Sequence, residues 1–351
     1  MIENINWYPG HMKKTRELIQ NNLKLVDAVI EVIDSRIPSS SRNPIIDDIL
    51  GKKPRVIALN KADLASEKET GRWSEYFVDT GYQTVTINAQ SGKGVYSLMK
   101  TLEVLEKKLN DGKLRNKPLR IMIVGVPNVG KSSLINRLTG KKSTQIGNRP
   151  GVTKGKQWLK LKNGMELLDT PGILWPKFED PQVGLYLAFC GSIKDEILDL
   201  PNLSLELLKV LKKDYMGLLS TRYGLDCQPK TSVDESDMLQ KGTSAHLNAL
   251  DEENKNSDEF FEYGDGYRED VDITPELSLL NDISRKRGYI LSGKRIDYER
   301  AGKAVIDEFR SGKIGRITLE KAPVTAVGDS NIHESAAGFE NDNALGGEIG
   351  E

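Results

Sequence analysis

The chain has 351 residues, 50 basic against 51 acidic side chains, and a formal net charge of −1. That length predicts about two domains, and two cysteines, Cys190 and Cys227, are too few for a disulfide framework and stand in no paired metal-binding spacing. No apolar run approaches the roughly 20 residues that span a bilayer, and none resembles a secretory leader, so a cytoplasmic protein with no membrane partner is expected.

The first half alternates strand and helix signals. Asp27–Asp34 is a strand rich in β-branched residues, stopped by Ser35-Arg36-Ile37-Pro38. A helical pattern over Arg42–Leu50 follows, then strand Arg55–Leu59, helix Ser66–Thr80, strand Thr84–Ile87 and helix Val95–Leu109. A polar linker, Asn110–Pro118, leads to strand Leu119–Gly125, helix Lys131–Thr139, and strands near Gln157–Lys162 and Met165–Asp169. This alternation predicts an α/β fold, a mostly parallel sheet with helices on both faces.

After Asp180-Pro181, an N-cap followed by proline at the first helical position, the pattern turns helical. Gln182–Leu198 and Ser204–Thr221 are two expected helices, Thr274-Pro275 opens a third over Glu276–Arg287, and Asp297–Gly312 is a fourth. Cys190 falls at helical spacing among Val183, Leu187 and Ile193, which suits a buried core thiol. Between Pro229 and Ile273 there are 13 acidic and 4 basic residues, and from Ala322 to Glu351 there are 6 acidic and no basic ones. Such polar, acidic stretches bury too little apolar area to offset the entropy of ordering the backbone, about 1–2 kcal/mol per residue. The expected division is an α/β domain over 1–178, a small all-α domain over 179–320 interrupted by a disordered acidic insert at about 229–272, and a disordered acidic tail over 321–351. The rest of the chain carries +14, which suits either a polyanionic partner or a well-mixed solvated surface.

Gly125-Val126-Pro127-Asn128-Val129-Gly130-Lys131-Ser132 is a complete G-x-x-x-x-G-K-[ST] pattern between a predicted strand and a predicted helix, the context that marks a phosphate-binding P-loop. Its glycines let backbone N–H groups turn toward phosphates, and the helix N-terminus adds a favourable partial charge. Asn128, Val129, Gly130, Lys131, Ser132 and Ser133 form the expected phosphate cradle. The Lys131 ammonium neutralises the β/γ oxygens, and the Ser132 hydroxyl binds Mg²⁺. Asp169-Thr170-Pro171-Gly172 ends a strand further on, where a carboxylate reaches Mg²⁺ through water and the Gly172 amide meets a γ-phosphate oxygen. Thr153, in Pro150-Gly151-Val152-Thr153, is placed to complete the Mg²⁺ shell while the γ-phosphate is present; a plain loop threonine is the other reading. Ile173 stands where many GTPases carry a water-orienting glutamine, and its side chain forms no hydrogen bonds.

Asn60-Lys61-Ala62-Asp63 caps the second strand. The Asp63 carboxylate can accept two hydrogen bonds from guanine, where adenine offers no such donor pair, so this loop selects GTP over ATP. Lys61 can lie along the base, and Asn60 can tie the loop to the P-loop. Asn88-Ala89 caps the next strand; Ser-Ala is the usual form, and the Ala89 amide is expected to meet the guanine oxygen.

The guanine loops here precede the P-loop, the reverse of the common order. That order, with Trp7-Tyr8-Pro9-Gly10-His11-Met12, Asp34–Pro38, GVPNVGKSSLIN, NRPGVTK, LDTPGIL and FRSGKIGRITLE at Phe309–Glu320, resembles the circularly permuted GTPases, and most closely the ribosome biogenesis GTPase A family. The resemblance covers residues of about 5–228 and 273–320; the acidic insert and tail depart from it. It implies a circularly permuted P-loop GTPase domain followed by a small all-α domain, acting late in assembly of the large (50S) ribosomal subunit. The partners it implies are GTP or GDP and a 50S particle or its precursor, contacted through ribosomal RNA, with turnover raised by the particle and a monomer off it. A GTP-dependent RNA-binding switch in RNA modification or stress signalling is the alternative. It implies that His11 orients water or stabilises charge in hydrolysis, although a histidine bonded in a turn or touching RNA fits the residues as well. Asn128 matches a position where related GTPases hold K⁺, and Arg149 is a less favoured source of charge. Arg285, Lys286, Arg287, Lys294, Arg295, Arg300, Lys303, Arg310, Lys313 and Arg316 are equally a solvated helix face or phosphate contacts by composition; the resemblance favours RNA.

Overall fold

The computed structural model describes residues 17, 19–112, 117–140, 158–161, 163–168, 180–225 and 274–323. Six strands form one sheet in the order β3-β2-β1-β4-β6-β5. They are β1 (Ala28–Asp34), β2 (Arg55–Asn60), β3 (Gln83–Thr86), β4 (Arg120–Val124), β5 (Trp158–Lys160) and β6 (Glu166–Leu168). All neighbours pair in parallel except β5 and β6. Connecting them are α1 (Pro44–Leu50), α2 (Glu67–Asp79), α3 (Val95–Asn110) and α4 (Lys131–Thr139).

β1 is the organising strand. All seven of its residues are buried, Glu31 and Asp34 included. A strand flanked on both sides by parallel neighbours reads as a continuous apolar run for this reason. One apolar cluster joins Ile19, Leu23, Val26, Val29, Ile46, Leu50, Met122, Val124 and Leu168. Another joins Ile33, Ile57, Leu59, Trp73 and Phe77. Residues 19–23 are helical, an element absent from those expected, although Ile19, Leu23 and Val26 recur at helical spacing. The two buried charges on β1 are compensated. Glu31 accepts from Arg42 at 3.3 Å and Arg55 at 2.9 Å, and both guanidinium groups lie over the Tyr82 ring.

The described residues divide into two compact units. Residues up to 194 belong to the first, together with 316–323; residues 195–225 and 274–315 form the second. This moves the boundaries from those expected at 178 and 320. The helix expected over Gln182–Leu198 also ends early, as α5 (Pro181–Phe189). Gly191, at φ +74°, adopts the left-handed conformation; its N–H donates to Ala188 O and that of Ser192 to Leu187 O, the paired bonds of a Schellman termination.

The second unit is helical: α6 (Leu200–Tyr223), α7 (Pro275–Arg287) and α8 (Tyr298–Arg310), capped by Asp199, Thr274 and Asp297. α8 buries Ala301, Gly302, Val305, Ile306 and Phe309 at helical spacing. Arg222 grips the Glu308 carboxylate at 2.8 and 2.6 Å, binding α6 to α8. No helix among the described residues is long and apolar enough to cross a membrane.

α8 meets the start of α6 at Gly302, where an added Cβ would lie 2.8 Å from Pro201 Cα. That neighbour is backbone and cannot rotate away. Gly302→Ala is therefore expected to destabilise the second unit by about 1–3 kcal/mol, measured as a lowered urea midpoint; an unchanged midpoint would show that the two helices separate at little cost.

Candidate nucleotide-binding site

Parallel strands place the residues that follow β1, β2, β3 and β4 at one edge of the sheet, where ligands of open α/β folds bind. Asp34 on β1 is in register with Asn60 on β2. The loops expected to bind phosphate and base are thus brought together by strand pairing.

The P-loop has three residues with positive φ, Gly125 (+149°), Asn128 (+60°) and Gly130 (+102°). At Gly130 a Cβ would fall 2.2 Å from Asn60 Nδ2, so only glycine fits. Lys131 opens α4 and is only 8% exposed, with its ammonium donating to Val126 O at 2.5 Å. Ser132 and Ser133 follow in the first turn of the same helix.

Asn60 joins three loops. Its Nδ2 donates to Val129 O at 2.6 Å, and its Oδ1 accepts from Ala89 N at 2.9 Å. The first bond is the tie to the P-loop that the sequence suggests. The second differs from expectation: the Ala89 amide is engaged by Asn60 here and not held open for a base. Asn88 accepts the N–H groups of Gln90 and Ser91, both at 2.9 Å, so it closes its own turn as a serine would. Asp63 is exposed to solvent. Arg137 of α4 donates to Gln90 O, adding a further link between P-loop helix and base loop.

Beneath these loops lies a buried charge cluster that belongs to none of the expected motifs as a unit. Asp34 and Arg36 are each 1% exposed and pair at 2.8 Å, and Asp34 also holds the Lys61 ammonium at 2.9 Å. Lys61 sits at φ +59°, an uncommon conformation for a lysine. Burial alone pushes the Asp34 carboxyl up; Arg36 and Lys61 outweigh it and hold the group well below the usual carboxylate range. The Cys190 thiol is buried close by and pushed up to about 12, burial being the larger cause, so it is inert as a nucleophile. The sequence offered one signal for the cluster, an aspartate and an arginine two residues apart at the end of an apolar strand.

The other expected site residues divide. His11, Arg149, Thr153, Asp169, Gly172 and Ile173 lie outside the described residues. Among the described residues no three or more His, Cys, Asp or Glu side chains gather as a metal cluster. Ser132 offers a hydroxyl oxygen beside Lys131, the hard donor that Mg²⁺ takes along with phosphate and water oxygens. Asn128 Nδ2 donates to Gly191 O at 2.5 Å, which leaves its Oδ1 as the atom available to a cation; Ser192 Oγ donates to Pro127 O at 2.9 Å on the same side of the loop.

Of the basic residues expected to face RNA, Arg285, Lys286, Arg287, Lys294, Arg295, Arg300, Lys303, Lys313 and Arg316 are exposed, while the side chains of Lys286 and Arg287 also donate to the carbonyls of Gly224 and Arg222. Two depart from the expectation. Arg310 is forked onto Asp195 with both bonds at 2.9 Å. Arg316 is not in the helical unit at all: it belongs to the first unit, where its guanidinium bonds Ala65 O at 2.8 Å, Ala62 O at 3.0 Å and Glu67 at 3.1 Å.

Residues 120–215 match the family described as 50S ribosome-binding GTPase. A Bacillus cereus protein named Ribosome biogenesis GTPase A is 40% identical over 320 residues, which is 90% of this chain and 93% of its own. The fold is also similar to YlqF in its GDP-bound structure (TM-score 0.54, 26% identity, 87% of this chain and 98% of that one). The crystal structure of GNP-bound YlqF from T. maritima gives a TM-score of 0.52 at 28% identity, covering 88% and 98%.

The depressed Asp34 carboxyl makes stability depend on pH. A carboxyl lowered in the folded state binds fewer protons than the unfolded chain, so its contribution is complete above about pH 4 and is lost as pH falls below that value. Asp34→Asn should remove this part of the acid sensitivity in urea titrations. It should also cost about 3–5 kcal/mol at neutral pH, because Arg36 is left buried without its carboxylate; an unchanged acid limb would show that other carboxylates set it.

Proposed function

The chain belongs to the ribosome biogenesis GTPase A family and is a GTPase; on that premise we propose that it serves a late step in maturation of the large (50S) subunit, with hydrolysis stimulated by the particle. The observation that carries the nucleotide-binding half of this reading is the Asn60 side chain, which locks the base loop onto the P-loop at one sheet edge; the ribosomal half rests on the relatives' names. A GTP molecule laid across that edge has its triphosphate on the amides of Val129–Ser133 and its base against Lys61 and Asp63. Binding asks two rearrangements of the described residues. The Lys131 ammonium leaves Val126 O for the β/γ oxygens, and the Ala89 amide is shared between Asn60 and the guanine oxygen.

Mg²⁺, when bound, neutralises charge on the phosphate oxygens. Ser132 is the described residue that would hold it, with Thr153 and, through water, Asp169 as the further ligands we assign. The Gly172 amide bonds the γ-phosphate, and Asn128 Oδ1 is the assigned K⁺ ligand. Because Ile173 cannot orient water, His11 takes that role when the particle is bound. The helical unit reaches ribosomal RNA through Arg285, Lys286, Arg287, Lys294, Arg295 and Lys313; Arg310 and Arg316 are withdrawn from that set. In this reading the protein is cytoplasmic and monomeric away from the particle.

Two experiments test it. Co-sedimentation with 50S particles should be stronger with a non-hydrolysable GTP analogue than with GDP, and equal sedimentation would sink the assembly reading. Turnover should rise on adding particles and be higher in K⁺ than in Na⁺. His11→Ala should keep nucleotide affinity and lose most of the stimulation, by 10²-fold or more on the order of a general acid–base contribution; full stimulation in the variant would remove His11 from the mechanism.

A further inference from the structure

Residues 316–320 run as a strap across the loops that follow β1 and β2. On the β2 side, Arg316 donates to the carbonyls of Ala62 and Ala65. Ile317 N donates to Leu64 O at 2.9 Å, and Thr318 Oγ1 accepts from Ser66 N at 3.0 Å. Every residue from Ala62 to Ser66 except Asp63 therefore has a backbone group held by the strap. On the β1 side, Leu319 N donates to Arg36 O at 2.8 Å. The Glu320 carboxylate accepts from Ser39 N at 2.6 Å and Ser40 N at 2.9 Å. Trp73 Nε1 fixes the end by donating to Glu320 O at 3.0 Å. Ile317 and Thr318 are buried.

The geometry matters for Lys61 and Asp63. Lys61 precedes the Ala62 carbonyl gripped by Arg316, and its ammonium shares Asp34 with Arg36, whose own carbonyl the strap also holds. The strained φ of Lys61 thus sits between two points of the strap. Asp63 is the residue left unbonded by it, between the held Ala62 and Leu64. A planar guanidinium that bonds two carbonyls at once fixes the loop's shape in a way that a point charge cannot.

We propose that the 316–320 strap sets the shape of the guanine-reading loop, with Arg316 as a positioning residue for the base specificity carried by Asp63. The proposal rests on the reading of Asn60–Asp63 as the guanine site. It makes base recognition depend on a segment some 250 residues away in sequence.

The test compares wild type, Arg316→Ala, Arg316→Lys, Thr318→Val and Asp63→Asn, all in the full chain, for binding of fluorescent GDP, GTP and inosine triphosphate, which lacks the exocyclic amine. Arg316→Ala should weaken GDP and GTP about tenfold, mainly through faster release, and narrow the preference for GTP over inosine triphosphate. Arg316→Lys should recover little of it. Thr318→Val, which removes the strap hydroxyl that accepts from Ser66 N of the same loop, should shift both quantities in the same direction by less, and carries the test if Arg316→Ala does not fold. General destabilisation would lower affinity for all three nucleotides together and leave their ratios unchanged, which would overturn the proposal. If Asp63→Asn abolishes guanine preference while both strap variants bind within twofold of wild type, the strap role is wrong and the site reading stands. If Asp63→Asn has no effect, the site reading falls and the proposal with it. Loss of 50S binding by Arg316→Ala with unchanged nucleotide affinity would return Arg316 to the RNA-facing set and also overturn it.

Discussion

One buried carboxamide holds the nucleotide edge together. Asn60 sits at the end of β2 and spends both faces of its amide on other loops, donating to the P-loop and accepting from the Asn88–Ala89 turn. Each bond is internal and satisfies a backbone group that would otherwise be buried without a partner, a cost of about 1–3 kcal/mol apiece. The requirement for glycine at position 130 follows from the same contact, since any side chain there would collide with Asn60 Nδ2. Phosphate loop and base loop therefore cannot be positioned independently, although the bonded residues Asn60 and Val129 lie 69 positions apart.

Charge is handled beneath this edge by burial with compensation. β1 carries Glu31 and Asp34 into the core of a parallel sheet, where an unpaired carboxylate would be prohibitive. Each is matched by two cations, Arg42 and Arg55 for the first and Arg36 and Lys61 for the second. The Asp34 group does more than neutralise: it holds Lys61, the residue expected along the base, so a functional side chain is oriented by a structural ion pair.

The legible features were those whose physics is local. The P-loop announced itself because phosphate binding needs fixed spacings within eight residues, and the strands because parallel burial demands runs such as Ala28–Asp34. The helix starts at Asp180-Pro181 and Thr274-Pro275 were equally plain. What escaped depends on partners distant in sequence. Arg316 looked like one more basic residue of a helical domain because nothing near it in the chain names Ala62 or Ala65 as its acceptors. The Asp34–Arg36–Lys61 cluster was read as a strand stop and a base contact, two separate things. The early end of α5 was readable in principle, since Gly191 after an apolar run is a helix-termination signal, but the apolar Ile193 masked it.

The strap also has a consequence in time. Arg316 lies 254 residues after Ala62, and a chain elongating at about 5–20 residues per second needs roughly 13–50 s to make that interval. Throughout it the central strands can pair, yet the loop after β2 lacks the bonds that fix its shape. The last pieces of the GTPase unit are delivered only after the whole helical unit has been synthesised. The loop after β2 thus gains its bonds to Arg316, Ile317 and Thr318 only once residues 195–315 exist, an ordering written into the connectivity.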